Sequence, residues 1–276
     1  MIEALQLEFM RNAVLAGLLA GLACGIIGTF VVVNRIVFIS GGIAHAAYGG
    51  VGLAFFLGLP VLIGILGFSL VVALIVAVIS LKARERADTI IGVLWALGMA
   101  LGVILVDLTP GYNVDLMSYL FGSILTVPPS DLYFMLILDL LIAAAVGYFY
   151  HDLMVMSYDQ EFARVRGVRV SLLHCLLMVM VALAVVMMVR VVGLILVMAL
   201  MTIAPFIAEK YCLSLAKMML VSVFLNIGFT WAGLWLSYSC NLTSGPSIIM
   251  VAGACFFISL ALEALGIGRR VLRPKV

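Results

Sequence analysis

The chain has 276 residues, 66% of them hydrophobic and 10% charged, and carries a formal net charge of +2. Soluble domains run nearer half apolar and a quarter charged, so this composition excludes a water-soluble fold; no globular core could hide the surplus, and lipid must receive it. The total charge says little, because in such a chain the placement of Lys and Arg matters more than their sum.

Apolar stretches long enough to cross a hydrocarbon core as helices begin with 13–33. Two acids and one arginine precede it where a cleavable signal would carry basic residues, so it is read as a retained span. The next stretch, 42–57, is short and holds Gly49, Gly50 and Gly52, with Gly58 just beyond, which predicts a helix packed inside the bundle. Spans at 60–81 and 88–107 follow, then a segment at 114–125, too short to cross, between Pro110 and the pair Pro128 and Pro129; it reads as a re-entrant or interfacial helix. The span 131–149 leads into a polar connection at 150–170, where an amphipathic stretch around 159–165 meets a glycine stop at Gly167. Further spans are expected at 171–189, 192–209, 215–238 and 246–266. The expected fold is all-α, a single polytopic membrane domain over 1–276 with about nine transmembrane helices, or eight if 42–57 is discounted.

Nine spans sort the basic residues. Arg35, Lys82, Arg84, Arg86, Arg164, Arg166, Arg169, Lys210, Lys217, Arg269, Arg270, Arg273 and Lys275 then fall on one side, while the opposite loops 108–130 and 239–245 have none. The positive-inside rule makes the basic side cytoplasmic, with the N-terminus outside and the C-terminus inside. The five cysteines show neither C-x-x-C pairing nor zinc-ligand spacing. No P-loop is present, so ATP hydrolysis, if it drives this chain, belongs to another subunit.

Six stretches in order carry a family resemblance: FVVVNRIVFISGGIAHAAYGGVGLAFFLG at 30–58, ADTIIGVLWALGMALGV at 87–103, NVDLMSYLFGSILTVPPSDL at 113–132, EFARVRGVRV at 161–170, VRVVGLILVMALMTIAPFIAEKY at 189–211 and GPSIIMVAG at 245–253. Together they resemble the permease subunits of bacterial zinc, manganese and iron uptake ABC transporters, the ABC-3 family. That resemblance implies a fold similar to the vitamin B12-type importer permeases, located in the bacterial inner membrane. It implies a divalent metal ion as cargo, with no permanently bound cofactor. The implied partners are a second copy of the chain, a cytoplasmic ATP-binding subunit and an extracytoplasmic metal-binding protein, with no nucleic acid.

His45 is the leading pathway candidate, since a neutral imidazole is a common ligand for zinc or iron and a usable one for manganese. In the family the matching histidine often has a carboxylate four residues earlier, on the same helical face. Here that position is Gly41, and where zinc-type members often carry another histidine this chain has Ala96. A tight metal cage is therefore not expected, and a histidine hydrogen-bonded within a packed bundle stays open as the alternative. Weak contact suits an ion that must be released.

Asp139, near the middle of its span, is a second candidate: an ionised carboxylate there costs at least about 2.5 kcal/mol unless paired or hydrated. Asp107 and Asp115 flank an outer loop without Lys or Arg, an acid-lined mouth that would attract cations; helix capping by Asp115 is the plainer alternative. Glu263, near the basic C-terminus, reads as a snorkelling or ion-paired acid. The sixteen methionines are scattered and read as gap-filling. Pro205 should kink its span.

For coupling to the ATPase, Glu161 and Arg164 would meet polar groups of the partner, Phe162 and Val165 would supply an apolar anchor, and Gly167 would end the helix. A permease for a metal chelate or a cobalamin-type substrate is the alternative function, although such relatives usually carry more chain. An intramembrane enzyme is not expected: His45, His151 and His174 stand on separate segments without H-E-x-x-H spacing.

Overall fold

The computed structural model describes residues 7–82, 87–110, 122 and 124–265. Its helices are α1 (Glu8–Val33), α2 (Val37–Leu57), α3 (Val61–Lys82), α4 (Ala87–Asp107), α5 (Pro129–Tyr148), α6 (Tyr150–Tyr158), α7 (Gln160–Val165), α8 (Val170–Val192), α9 (Leu194–Tyr211), α10 (Leu215–Cys240) and α11 (Ser244–Ala264). Among the described residues, nine of these are long and apolar enough to cross a membrane; α6 and α7 are the short ones.

α1, α2 and α8 form the buried centre, while α4, α5 and α11 leave most of their surface outward. α2 is the most enclosed span, as its glycines predict. It is sandwiched between α3 and α4. A Cβ on Gly50 would lie 2.5 Å from the Gly64 carbonyl oxygen of α3, and one on Gly98 of α4 would lie 2.7 Å from Ala46 Cα. Between lipid-immersed helices attraction comes from van der Waals contact, so side chains of zero or one carbon let the backbones close. The helix starts five residues before the expected position 42, because Gly41 and Gly42, which look like a break in sequence, are buried inside it and Gly42 lies under Ile91 of α4.

α1 uses the same device at roughly four-residue spacing. Gly21 faces Ile227 and Gly25 faces Val223, both of α10, in antiparallel order. Gly28 faces the Met201 carbonyl of α9. That carbonyl lies four residues before Pro205, which has no N–H to give it, so a helical bond is missing where another backbone packs. Pro205 is thus inside α9, as expected, and its freed acceptor sits against a glycine.

α8 runs three residues past its expected end, and only Gly193 separates it from α9. Gly193 adopts φ 85°, a conformation open to glycine, and so permits a one-residue joint. The expected helix at 114–125 lies almost wholly outside the described residues; its end is a short 3-10 turn at Ile124–Thr126.

Candidate functional site

His45 stands on α2 at its contact with α4. The imidazole lies flat on the indole of Trp95, ring centroids 4.0 Å apart and planes 11° apart. Trp95 is itself tilted against Phe38, at 6.1 Å, and its indole N–H donates to Met99 Sδ at 3.1 Å. The ring plane is therefore set by packing, while His45 Nδ1 is buried without a hydrogen-bond partner. The alternative of a histidine fixed by hydrogen bonding finds no support at that nitrogen.

Ala96, the position of the expected second ligand, is exposed, and the α4 residue beside His45 is Trp95. A helical stripe already pointed there: Ile91, Trp95, Gly98 and Gly102 recur at three- and four-residue spacing, and Ile91, Gly98 and Gly102 all meet α2. On the side of Gly41 the neighbour is Met198 of α9, whose Sδ would lie 3.2 Å from a Cβ built at that glycine. Neither Trp95 nor Met198 figured among the expected site residues.

The remaining candidates lie apart. Asp139 is 3% exposed on α5, with both carboxylate oxygens unpartnered among the described residues. α5 packs chiefly on α1 and α8, so the fold does not bring Asp139 to His45. Asp107 ends α4 and is exposed at the opposite end of that helix from Asp88. Asp115 lies outside the described residues. Among the described residues no group of three or more His, Cys, Asp or Glu side chains gathers as a metal cage.

The connection at 150–170 holds two helices where one was expected. α6 precedes α7, and Asp159 between them caps α7: its Oδ1 accepts from the backbone N–H groups of Glu161 at 3.0 Å and Phe162 at 2.9 Å. Gly167, at φ 82°, closes the far end, its N–H donating to the Arg164 carbonyl at 3.0 Å. Ala163 is fully buried against the bundle, whereas Phe162 is 52% and Val165 86% exposed. Glu161 and Arg164 flank them, also exposed. Behind α7 opens a cleft of about 540 Å³ lined by Arg35, Asp88, Tyr158, Asp159, Glu161 and His174, among others. Burial raises the Tyr158 phenol above its ordinary pKa, helped by Tyr150 and Glu209. His174 pairs with Ser80 of α3 at 2.8 Å, and Asn34 of the α1–α2 turn donates to Ser157 Oγ at 2.9 Å. Lys210 and Glu263 form the ion pair anticipated for the acid, at 2.9 Å.

The profile of the ABC 3 transport family matches residues 6–263, nearly the whole chain. This protein belongs to that family. It is a multi-pass inner-membrane permease, and the ATP that drives such a transporter is hydrolysed on a separate component. The chain is 50% identical over 263 residues to the uncharacterized membrane protein slr2045 of Synechocystis, covering 95% of this chain and 94% of that one. It is 31% identical to the manganese import system permease protein ScaB of Streptococcus gordonii, over 98% of this chain and 95% of that one. Among solved structures it is similar to PsaBC from Streptococcus pneumoniae in complex with Fab, with a TM-score of 0.84, 32% identity and 94% of each chain covered. In this ABC 3 permease α2 is central and α7 is presented outward.

Proposed function

We propose that this ABC 3 permease forms the translocation pathway of an ATP-driven importer of divalent metal ions, with two copies pairing around that pathway. The observation that carries this reading is the membership over residues 6–263 together with likeness to a permease named for manganese import, which makes Mn²⁺ the first ion to test. The ion passes His45, whose unpartnered nitrogen faces no competing hydrogen bond. Asp107 and Asp115 attract it at the outer mouth, where an extracytoplasmic metal-binding protein delivers it. The cytoplasmic ATPase docks on α7, covering Phe162 and Val165, which are otherwise apolar groups left in water. Arg35, Lys82, Arg164, Arg166, Arg169, Lys210 and Lys217 flank the ends of the spans on that same side, which supports a cytoplasmic C-terminus and an external N-terminus. The whole chain acts as one transmembrane domain with its coupling segment at 150–170.

The test is ATP-dependent uptake of radioactive Mn²⁺ by proteoliposomes holding the permease, its ATPase and the binding protein. Wild-type complex is expected to accumulate the ion, and His45→Ala to slow uptake at least tenfold while the complex still assembles. Uptake unaffected by His45→Ala removes this residue from the pathway; no uptake of any divalent ion by wild type refutes the transport reading.

A further inference from the structure

Gly41 and His45 are one turn apart on α2, and positions so spaced share a face with Cβ atoms about 5–6 Å apart. The surface over Gly41 is filled by the thioether of Met198: a Cβ at Gly41 would stand 2.7 Å from its Cε and 3.2 Å from its Sδ. No side chain at 41 coexists with Met198 in this position. One turn along, the His45 ring is held on Trp95 with Nδ1 buried and unpartnered. His45, Trp95 and Met198 are each half-buried. Methionine has three rotatable bonds and a polarizable sulfur, so its thioether can swing along the face that positions 41 and 45 share.

Resting on the transport reading above, we infer that Met198 and His45 form an imidazole–thioether contact for the passing ion, and that Met198 sets which ions pass best. Both donors are neutral. The acids on the neighbouring helices sit elsewhere: Asp88 in the first turn of α4, Asp107 at its last residue and Glu209 near the end of α9. A hard ion such as Mn²⁺ favours carboxylate and water oxygens, whereas thioether sulfur favours softer ions and imidazole suits borderline ones. The pair therefore favours thiophilic divalent ions over Mn²⁺ relative to a site without the sulfur. With two neutral ligands it also holds them loosely, as passage requires.

The experiment is competitive uptake of Cd²⁺ and Mn²⁺ by the reconstituted complex, comparing wild type with Met198→Leu, which keeps the side-chain volume and removes the sulfur. The Cd²⁺ to Mn²⁺ uptake ratio is expected to fall at least fivefold in Met198→Leu, with the loss falling mainly on Cd²⁺. The double variant Gly41→Asp with Met198→Ala, which exchanges the sulfur for a carboxylate in the space vacated, is expected to move the ratio further toward Mn²⁺. Cadmium-113 NMR of the bound ion gives a reading independent of turnover: the wild-type resonance should lie downfield of the Met198→Leu resonance. An unchanged ratio, equal loss of both ions, or coincident resonances overturns the assignment of Met198. Absence of ATP-dependent uptake of either ion by wild type instead refutes the transport reading, while separated resonances would still uphold the contact.

Discussion

Replacing Gly28 with alanine tests whether the approach of α1 to α9 carries stability. The added methyl carbon would lie 2.5 Å from the Met201 carbonyl oxygen and 3.0 Å from its carbonyl carbon and Cα, whereas ordinary contact begins at 3.4 Å. The shortfall is nearly an ångström against backbone atoms, which cannot rotate away as a side chain can. Overpacking of this kind costs about 1–3 kcal/mol. Alanine returns about 1 kcal/mol through helix propensity, and that gain is isolated by a control at Gly67 of α3, where an added Cβ meets nothing within 4 Å. The two variants should therefore differ by about 1–3 kcal/mol, which corresponds to roughly 3–10 °C in unfolding midpoint at the usual size scaling. Thermal unfolding of the purified permease in detergent, followed by intrinsic fluorescence, measures the separation. Coincident midpoints for Gly28→Ala and Gly67→Ala would show that the α1–α9 contact is soft and the geometric argument wrong.

Gly167→Val puts a β-branched residue at φ 82°, which costs about 1–2 kcal/mol through the backbone alone, since nothing lies within 4 Å of the glycine. The complex is expected to hydrolyse ATP without matching uptake; wild-type uptake together with wild-type ATPase stimulation would discount α7 as the coupling element. Asp139→Asn removes no hydrogen bond found among the described residues and keeps the side-chain shape, so the unfolding midpoint is expected to hold or rise while uptake falls. A lower midpoint points instead to a polar contact that the carboxyl makes and the amide cannot. Trp95→Ala frees the His45 ring, and uptake should drop several-fold with ATPase activity retained; unaltered uptake would mean the stack does not position the imidazole.

The spans were readable in the sequence because lipid demands long uninterrupted apolar runs, and a run such as 215–238 has few other ways to exist. The enclosure of α2 was readable for a related reason: Gly49, Gly50 and Gly52, close together, make poor lipid-facing helix but good helix–helix contact. Its start was misjudged because Gly41 and Gly42 serve packing across the bundle, a property of α4 and α9 rather than of the local sequence. The site was only half visible. His45 stands out as a polar group in an apolar run, but Trp95 and Met198 are ordinary membrane residues whose role depends on which helix they meet. The cap at Asp159 fits a familiar local pattern, yet the reading of 150–170 as one short helix and a loop missed α6, whose residues carry little amphipathic signal.

The hydrogen bond from Asn34 to Ser157 has a mechanical consequence. The same side chain also donates to the Phe30 carbonyl at 2.9 Å, so one amide clamps the end of α1 to α6 just ahead of α2. Arg35, at φ 58°, then turns the chain directly into the helix that bears His45. In the coupling proposed above, a push on α7 would travel through α6 and this clamp to the foot of the helix that bears His45, a short lever between the proposed ATPase contact and the proposed ion path.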